Sequence, residues 1–246
     1  DAGHYVKVFD RTLKYTENNY PKSVEYIQAD YSDSFVLLEA LAGIDVVIHL
    51  ISSTVPSTSN MDPVADIQSN LVNSVKLFTV MKQAGVQRII YFSSGGTVYG
   101  NPVQIPISED HPTHPISSYG ITKLAIENYL YMHQELYGLK PVILRLSNPY
   151  GPRQGHNGTQ GVIGTFFKHI LDDKPIKIWG DGSVVRDYIY IADAISACMA
   201  ALNLKQSGIF NIGSGQGHSL LEIIKAIENC TDKKAEVFFE KGRGFD

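Results

Sequence analysis

The run Asp45-Val46-Val47-Ile48-His49-Leu50-Ile51 decides the fold class. Near-continuous β-branched and aliphatic runs of this kind are typical of parallel strands that are covered on both faces. The stretches Arg88–Ser93 and Pro141–Leu146 have the same character. We therefore expect Val46–Ile51 and these two stretches to be neighbouring strands of one parallel sheet.

Helical patterns alternate with strands along the rest of the chain. Two further strands are predicted over Tyr5–Asp10 and Val24–Gln28. Predicted helices cover Ser34–Ala42, Pro63–Ala84, Ser117–Tyr137, Gly161–Leu171, Ala192–Leu204 and Ser219–Asn229. The alternation predicts an α/β fold with a doubly wound parallel sheet of the Rossmann type. Because the spacing loosens and glycine becomes frequent from Pro149 onward, we expect a smaller C-terminal lobe.

The first ten residues resemble the second half of a βαβ unit. Gly3 fits the end of a helix, an apolar strand follows, and Asp10 lies at its carboxyl end. In a dinucleotide-binding βαβ unit the ribose-binding acid follows a glycine-rich loop by about 20 residues. We therefore expect the chain to lack its first strand and glycine-rich loop. Taken alone, Asp10 is better explained as a solvated acid, and only later motifs favour the ribose.

Composition excludes several classes of protein. The 246 residues carry 21 basic and 25 acidic side chains, a net charge of −4, so no strong field favours nucleic acid. No apolar stretch approaches the roughly 20 residues of a membrane span. Two cysteines, Cys198 and Cys230, form neither a metal-binding spacing nor a disulfide framework. These features predict a globular protein with a cytoplasmic location.

The segment Tyr119-Gly120-Ile121-Thr122-Lys123 carries the sharpest local signal for chemistry. A tyrosine and a lysine four positions apart face the same side of a helix. A free phenol has a pKa near 10, and a neighbouring ammonium would lower that pKa and make the phenolate a usable base. As an isolated pair, Tyr119 and Lys123 are more often part of a solvated helix face.

A second signal lies upstream, where the strand at Arg88–Ser93 runs into the small and hydroxylated residues 94–100. Doubly wound sheets bind ligands beyond the carboxyl ends of their strands, and small residues there let a substrate approach the backbone. The alternative is an ordinary glycine-rich turn.

Taken together, these motifs resemble the extended short-chain dehydrogenase/reductase family, in particular the NAD-dependent nucleotide-sugar epimerases and dehydratases of UDP-glucose 4-epimerase type. The resemblance covers nearly all of the chain, and the motifs follow in the expected order. They are Phe9-Asp10-Arg11, Ala29-Asp30, Val47-Ile48-His49-Leu50, Asn70, Ser93–Gly100, Tyr119-x-x-x-Lys123, Arg145–Pro152, Gly180-Asp181-Gly182 and Arg186-Asp187-Tyr188.

The resemblance implies NAD as the cofactor and a role for each matching residue. Lys123 would hold the nicotinamide ribose, and Tyr119 would take the proton from the sugar 4-hydroxyl during a transient oxidation at C4. The implied cofactor-binding residues are Asp10, Arg11, Asp30, Tyr31, Leu50, Ile51, Ser52, Asn70, Ser93, Tyr119, Lys123 and Leu146. The implied substrate-binding residues are Asn148, Ile178, Trp179, Arg186, Arg243 and Asp246. Arg186 is the candidate for binding the diphosphate of the substrate. The alternative is that Arg186 only forms a surface ion pair with Asp187.

Two departures from the family pattern refine the expected activity. The family places Ser or Thr where this chain has Gly95, so Ser94 or, preferably, Thr97 would supply the catalytic hydroxyl. The dehydratase branch carries an Asp-Glu pair where this chain has Gly96 and Thr97, which favours a 4-epimerase over elimination of water. The alternatives are a dehydratase or reductase of the same family, or a non-catalytic module that senses a dinucleotide.

The resemblance also implies the organisation of the molecule. We expect an NAD-binding domain over residues 1–148 and 187–213, and a nucleotide-sugar-binding lobe over 149–186 and 214–246. The expected substrate is a UDP-linked sugar. A homodimer is expected through the helices Pro63–Ala84 and Ser117–Tyr137. Without the glycine-rich loop, which cradles a pyrophosphate, residues 1–246 are expected to bind NAD poorly and to turn over little.

Overall fold

The structure, a computed structural model, describes residues 2–12, 24–155 and 161–242. The strands in chain order are β1 (Val6–Asp10), β2 (Val24–Gln28), β3 (Val46–His49), β4 (Arg88–Ser94), β5 (Lys140–Leu146), β6 (Asn148–Tyr150), β7 (Ile176–Trp179), β8 (Val185–Tyr190), β9 (Gly208–Ile212), β10 (Gly217–Ser219) and β11 (Val237–Glu240). The helices are α1 (Ser34–Ala40), α2 (Pro56–Ser59), α3 (Pro63–Asp66), α4 (Asn73–Ala84), α5 (Ser118–Tyr137), α6 (Val162–Leu171), α7 (Ile191–Asn203) and α8 (Leu220–Thr231), with a π-helical segment, Ile67–Val72, between α3 and α4. Within these ranges, no helix combines the length and the apolar character that a membrane crossing requires.

The central sheet has the order β3-β4-β5-β9, and each neighbouring pair is parallel. The strands predicted at Val46–Ile51, Arg88–Ser93 and Pro141–Leu146 are therefore confirmed as neighbours. β3 ends at His49, so Leu50 and Ile51 already belong to the loop beyond its carboxyl end. β1 and β2 form a separate parallel pair, and no ladder between described residues joins that pair to β3.

Both faces of this sheet are covered, as the apolar runs predict. On one face Ile89 and Tyr91 pack in a core with α4, α5 and α1. On the other face Ile90, Val142 and Leu144 pack against Ala201 of α7. Alternate residues of β4 thus enter different cores, which is why its sequence has no polar side.

The helix predicted over Pro63–Ala84 is interrupted by the π-helical segment. Polar side chains in and beside this segment bond back to carbonyls one turn earlier: Ser69 Oγ donates to Ala65 O at 2.6 Å and Ser74 Oγ to Asn70 O at 2.7 Å. Such bonds compete with the regular backbone ladder and bend helices. π-Helical turns are frequent at functional sites, and this one presents Asn70 to the loop after β3.

The C-terminal region forms a second core and two small sheets. β8 pairs with β6 and β10, and β7 pairs with β11. The second core joins α6, β7 and α8 through Phe166, Ile170, Ile176, Ile178, Ile224 and Ile227. The sequence predictions missed β6 to β11, and the expected domain boundary between residues 186 and 187 falls inside β8.

Candidate active site

The first turn of α5 is fixed against two neighbouring segments. Ser117 caps the helix by accepting a bond from Gly120 N at 3.2 Å, and Tyr119 N donates to Ser59 Oγ at 3.0 Å. A Cβ atom on Gly120 would lie 2.8 Å from Thr97 O, closer than side chains tolerate. The glycine of the Tyr-Gly-x-x-Lys segment therefore lets α5 touch the loop after β4.

Tyr119 and Lys123 lie in one pocket beyond the carboxyl ends of the central strands, as their spacing predicts. Lys123 Nζ lies 5.6 Å from the centroid of the Tyr119 ring and donates to Phe92 O at 3.0 Å. The pocket is lined by Ile51, Ser52, Asp66, Asn70, Tyr119, Thr122, Lys123 and Ile126. The structure thus joins the loop after β3, the π-helical segment and α5 in a single site.

The electrostatics of this pair differ from the prediction. Burial, together with a smaller contribution from the Asp66 carboxylate, raises the pKa of Tyr119 to about 12. The pKa of Tyr119 in this structure therefore lies above that of a free phenol, opposite in direction to the expected lowering. Burial also lowers the pKa of Lys123 to about 8, although Glu127 and Asp66 oppose that change. At neutral pH the site holds a neutral phenol beside an ammonium.

Asn70 fixes the loop that follows β3. Its Oδ1 accepts a bond from Ser53 N at 2.8 Å, and its Nδ2 donates to Thr54 Oγ1 at 3.1 Å. In that loop Ile51 and Ser52 line the pocket, whereas Leu50 is 63% exposed at the surface. The expected support of the loop by Asn70 is present in the structure.

Two predicted ribose and adenine contacts lie side by side at the ends of β1 and β2. Asp10 ends β1, Asp30 follows the adjacent parallel strand β2, and Ala29 N donates to Asp10 O at 3.1 Å. Hydrogen bonds from Ser32 lower the pKa of Asp30, so its carboxylate is charged at neutral pH. Arg11 is exposed beside them.

Two predicted cofactor contacts face the protein interior instead. Tyr31 is buried, and its hydroxyl lies 3.0 Å from His49 Nε2 and 3.2 Å from Ser74 Oγ. Any adenine contact at this position would fall to the backbone of Tyr31. Ser93 is buried as well and donates its hydroxyl to Glu127. Direct cofactor contacts by these two side chains are corrected: alternation along β4 turns Ser93 inward, and the bonds to His49 and Ser74 hold Tyr31 in the core.

The side chain of one predicted substrate contact, Ile178, also faces the interior. Ile178 is 1% exposed and belongs to the second core, because alternation along β7 turns Ile176 and Ile178 inward. Trp179, the next residue, is 39% exposed and is accessible to a ligand.

The remaining substrate candidates lie near β6 and β8. Asn148 Nδ2 donates to Asp187 O at 2.8 Å, which leaves its amide oxygen for other partners. No carboxylate among the described residues lies within 4.0 Å of the Arg186 guanidinium, so the ion pair with Asp187 is not formed. Leu146 ends β5. Arg243 and Asp246 lie outside the described residues.

Sequence reasoning missed two buried charge centres, one lining the pocket and one between α5 and β5. Asp66 is fully buried in α3. Glu127 and Arg145 form an ion pair with an N–O distance of 2.7 Å, and Arg145 also donates to Tyr99 Oη at 2.8 Å. The pair could have been predicted from Arg145, a charged residue inside an otherwise apolar strand, because buried charges are retained only where they are paired.

The residues of this cleft fit NAD. A lysine ammonium has three protons, and among the described residues only Phe92 O accepts one from Lys123. Ribose hydroxyls suit the remaining donors, and the exposed carboxylate of Asp10 suits a second pair of ribose hydroxyls. A carboxylate there disfavours a 2′-phosphate, which selects against NADP.

Comparisons with known proteins agree with this geometry. The model of the NAD dependent epimerase/dehydratase family matches residues 1–213. A dTDP-4-dehydro-6-deoxyglucose reductase of Escherichia coli is 42% identical over 199 residues, 80% of this chain and 62% of the relative. A UDP-glucose 4-epimerase of Thermotoga maritima, solved with UDP-glucose, is 32% identical with a TM-score of 0.93 over 99% of this chain and 80% of that one. The UDP-glucose 4-epimerase of Thermus thermophilus in complex with NAD is 32% identical, with a TM-score of 0.90 over 98% of this chain and 79% of that one. The chain therefore belongs to the NAD dependent epimerase/dehydratase family, and its cofactor is NAD.

Proposed function

We propose that the protein is an NAD-dependent nucleotide-sugar 4-epimerase. The observation that carries the proposal is the single pocket shared by Tyr119, Lys123 and the loop that Asn70 holds. The similarity to solved UDP-glucose 4-epimerases supports a UDP-linked sugar as substrate.

When bound, NAD supplies the acceptor and then the donor of the hydride at the sugar C4 carbon. Tyr119 accepts the proton of the 4-hydroxyl during oxidation and returns it during reduction. Lys123 holds the ribose and stabilises the phenolate through its charge. Because burial and Asp66 hold the pKa of Tyr119 near 12, the resting phenol is protonated and needs added positive charge to act as a base.

We assign the hydroxyl that assists Tyr119 to Thr97. Its Oγ1 is buried and has no hydrogen-bond partner among the described residues. Its carbonyl lies against the first turn of α5, close to Gly120, the residue after Tyr119. Ser94 ends β4 and remains the second candidate.

We assign nucleotide-sugar binding to Asn148, Trp179 and Arg186. The Arg186 guanidinium, with no carboxylate partner in the described part of the chain, suits a diphosphate, because its planar fork bonds two phosphate oxygens at once. We extend the assignment to Arg243 and Asp246 from their motif positions alone.

Product analysis by NMR tests the proposed reaction. The protein is incubated with NAD and UDP-glucose, and we expect the C4 epimer to appear with no net formation of NADH. Release of water, or NADH that accumulates with product, would contradict epimerisation.

A nucleotide-sugar reductase is the second candidate. The 42% identity to an E. coli dTDP-4-dehydro-6-deoxyglucose reductase favours it over a dehydratase and over a non-catalytic sensor. A reductase consumes one reduced nicotinamide per turnover of a 4-keto sugar nucleotide, whereas an epimerase consumes none. The same NMR assay with NADH and a 4-keto substrate separates the two. Gly96 and Thr97 disfavour a dehydratase, because they stand where the dehydratase branch carries an Asp-Glu pair. For a non-catalytic sensor, the variant Tyr119→Phe would leave function intact.

A further proposal concerns the oligomeric state. We propose a homodimer through the helices at 63–84 and 117–137. Exposed apolar side chains on these helices, Val64, Ile67 and Ile121, support it. A monomeric mass in sedimentation would exclude the dimer.

A further inference from the structure

Asp66 is the acceptor in a buried cluster that joins three segments. Its side chain is fully buried. Oδ1 accepts bonds from Thr54 Oγ1 at 2.5 Å and Asn70 Nδ2 at 2.9 Å. Oδ2 accepts bonds from Ser118 Oγ at 2.7 Å and Thr122 Oγ1 at 2.8 Å. One carboxylate thus connects the loop after β3, the π-helical segment and the first turns of α5.

The carboxylate of Asp66 has one partner that can only donate, the Asn70 amide, and three hydroxyl partners oriented to donate. An ionised carboxylate offers about four lone-pair sites, so this arrangement suits an anion. No lysine, arginine or histidine nitrogen among the described residues lies within 4.0 Å of it. A buried anion without a contacting cation is costly unless a charge nearby compensates for it.

A cation, Lys123, lines the same pocket as Asp66, and its chain neighbour Thr122 donates to the Asp66 carboxylate. Glu127 is a second anion that favours the charged form of Lys123, and it is also paired with Arg145 at 2.7 Å. The remaining titratable neighbours are buried and uncharged: they are His49 on β3, Tyr91 on β4 and Tyr119 on α5.

We propose that Asp66 is the buried counter-charge of the Lys123 ammonium and the positioning residue for the first turn of α5. It keeps Lys123 protonated at working pH and holds Tyr119 against the loop after β3. The consequence for catalysis rests on the proposed function, whereas the charge coupling does not.

The variant Asp66→Asn tests the coupling with little change in shape. Ser118 and Thr122 are hydroxyls, so they can accept from the new amide where they now donate. We follow the titration of Lys123 by NMR and assign its signal by its loss in Lys123→Met. In the wild type the pKa of Lys123 lies near 8, and in the variant we expect it to fall by about one pH unit, a tenfold loss of proton affinity.

Asp62→Asn is the matched control. Asp62 is exposed and caps the same helix by accepting from Ala65 N at 2.9 Å. Its replacement removes the same charge but keeps the cap, because Asn is an equally good N-cap, and it should leave the Lys123 titration unchanged. If Asp66→Asn does not fold, Thr122→Val removes one donor but keeps the carboxylate charge, so the Lys123 pKa should stay the same or rise, and a fall of that pKa would overturn the proposal. An unchanged Lys123 pKa in folded Asp66→Asn overturns the proposal.

A second readout links the coupling to catalysis. Because the proposed reaction needs charged Lys123, the alkaline limb of the kcat profile should move to lower pH in Asp66→Asn. The Lys123 titration requires no turnover, so it stays informative even if the protein proves not to be an epimerase. A shifted titration without epimerase activity would reject the proposed function and keep the role of Asp66.

Discussion

Position 95 shows how a single residue shapes the site. Gly95 N donates to Leu146 O at 2.9 Å, so the residue continues the β4–β5 ladder. A Cβ atom there would lie 2.9 Å from Arg145 O, which belongs to the backbone of β5. Glycine at this position is therefore a packing requirement in this chain, which supports the proposed assignment of the assisting hydroxyl to Thr97.

We expect Gly95→Ser to destabilise the protein by about 1–3 kcal/mol, because overpacking displaces a strand backbone. The control is Gly96→Ala, since nothing lies within 4 Å of a Cβ atom at Gly96. Urea unfolding of both variants measures the difference. Equal stability of Gly95→Ser and the wild type would contradict the packing explanation.

At the scale of single residues, the sequence predicts which residues share a site better than it predicts the direction in which each side chain points. The Tyr119–Lys123 spacing correctly places both side chains in one pocket, because helical periodicity alone determines it. The side chains of Tyr31, Ser93 and Ile178 face the interior, which the sequence motifs did not predict. Orientation at a strand end depends on which neighbour covers each face, and that information is not local.

At the scale of the elements, α5 is tied to β5 by the Glu127–Arg145 pair. Both side chains are 4% exposed, and Arg145 Nε and Nη2 donate to the carboxylate. Arg145 also donates to Glu109 O at 3.1 Å, which extends the tie to the loop before α5. This pair therefore holds the helix that carries Tyr119 against the sheet.

We expect Glu127→Gln to lower the free energy of unfolding by about 3–5 kcal/mol, because it leaves a buried guanidinium without its counter-charge. The control is Asp172→Asn, which breaks an exposed pair with Lys168 on α6 and should leave stability unchanged. Chemical denaturation measures both. A Glu127→Gln variant as stable as the control would show that the pair contributes nothing to the fold.

The sequence predicts strands and helices correctly where a pattern of buried residues extends over many positions. The three central strands and α5 follow from runs of buried residues or from helical spacing. β6 and β10 are only three residues long, too short for any periodicity to register, and their pairing with β8 is a tertiary effect. The π-helical segment could not be predicted, because it depends on side-chain bonds to backbone carbonyls.

At the scale of the whole molecule, a buried histidine couples stability to pH. His49 lies in the core between Tyr31 and Tyr91, and burial lowers its pKa to about 3. An unfolded histidine has a pKa near 6.5, so the unfolded state binds the extra proton first as the pH falls. The contribution of neutral His49 to the free energy of unfolding is thus fully present above pH 6.5 and is lost progressively as the pH falls toward 3.

Between pH 7 and pH 5 this linkage should cost the wild type about 2 kcal/mol of stability. We expect His49→Gln to lose that part of the pH dependence, whereas His4→Gln, at an exposed histidine, should retain it. Urea titrations at both pH values measure the change. The same pH dependence in His49→Gln and the wild type would contradict the assignment.

The central claim is that Tyr119 is the acid–base group of an NAD-dependent epimerase. Its most direct test compares the rate of C4 epimerisation of UDP-glucose in the wild type and Tyr119→Phe, at an NAD concentration that saturates both. We expect the rate to fall by about 10²–10⁴-fold while NAD affinity is retained, because the phenyl ring keeps the packing and loses the proton. Equal rates in the two proteins would contradict the account.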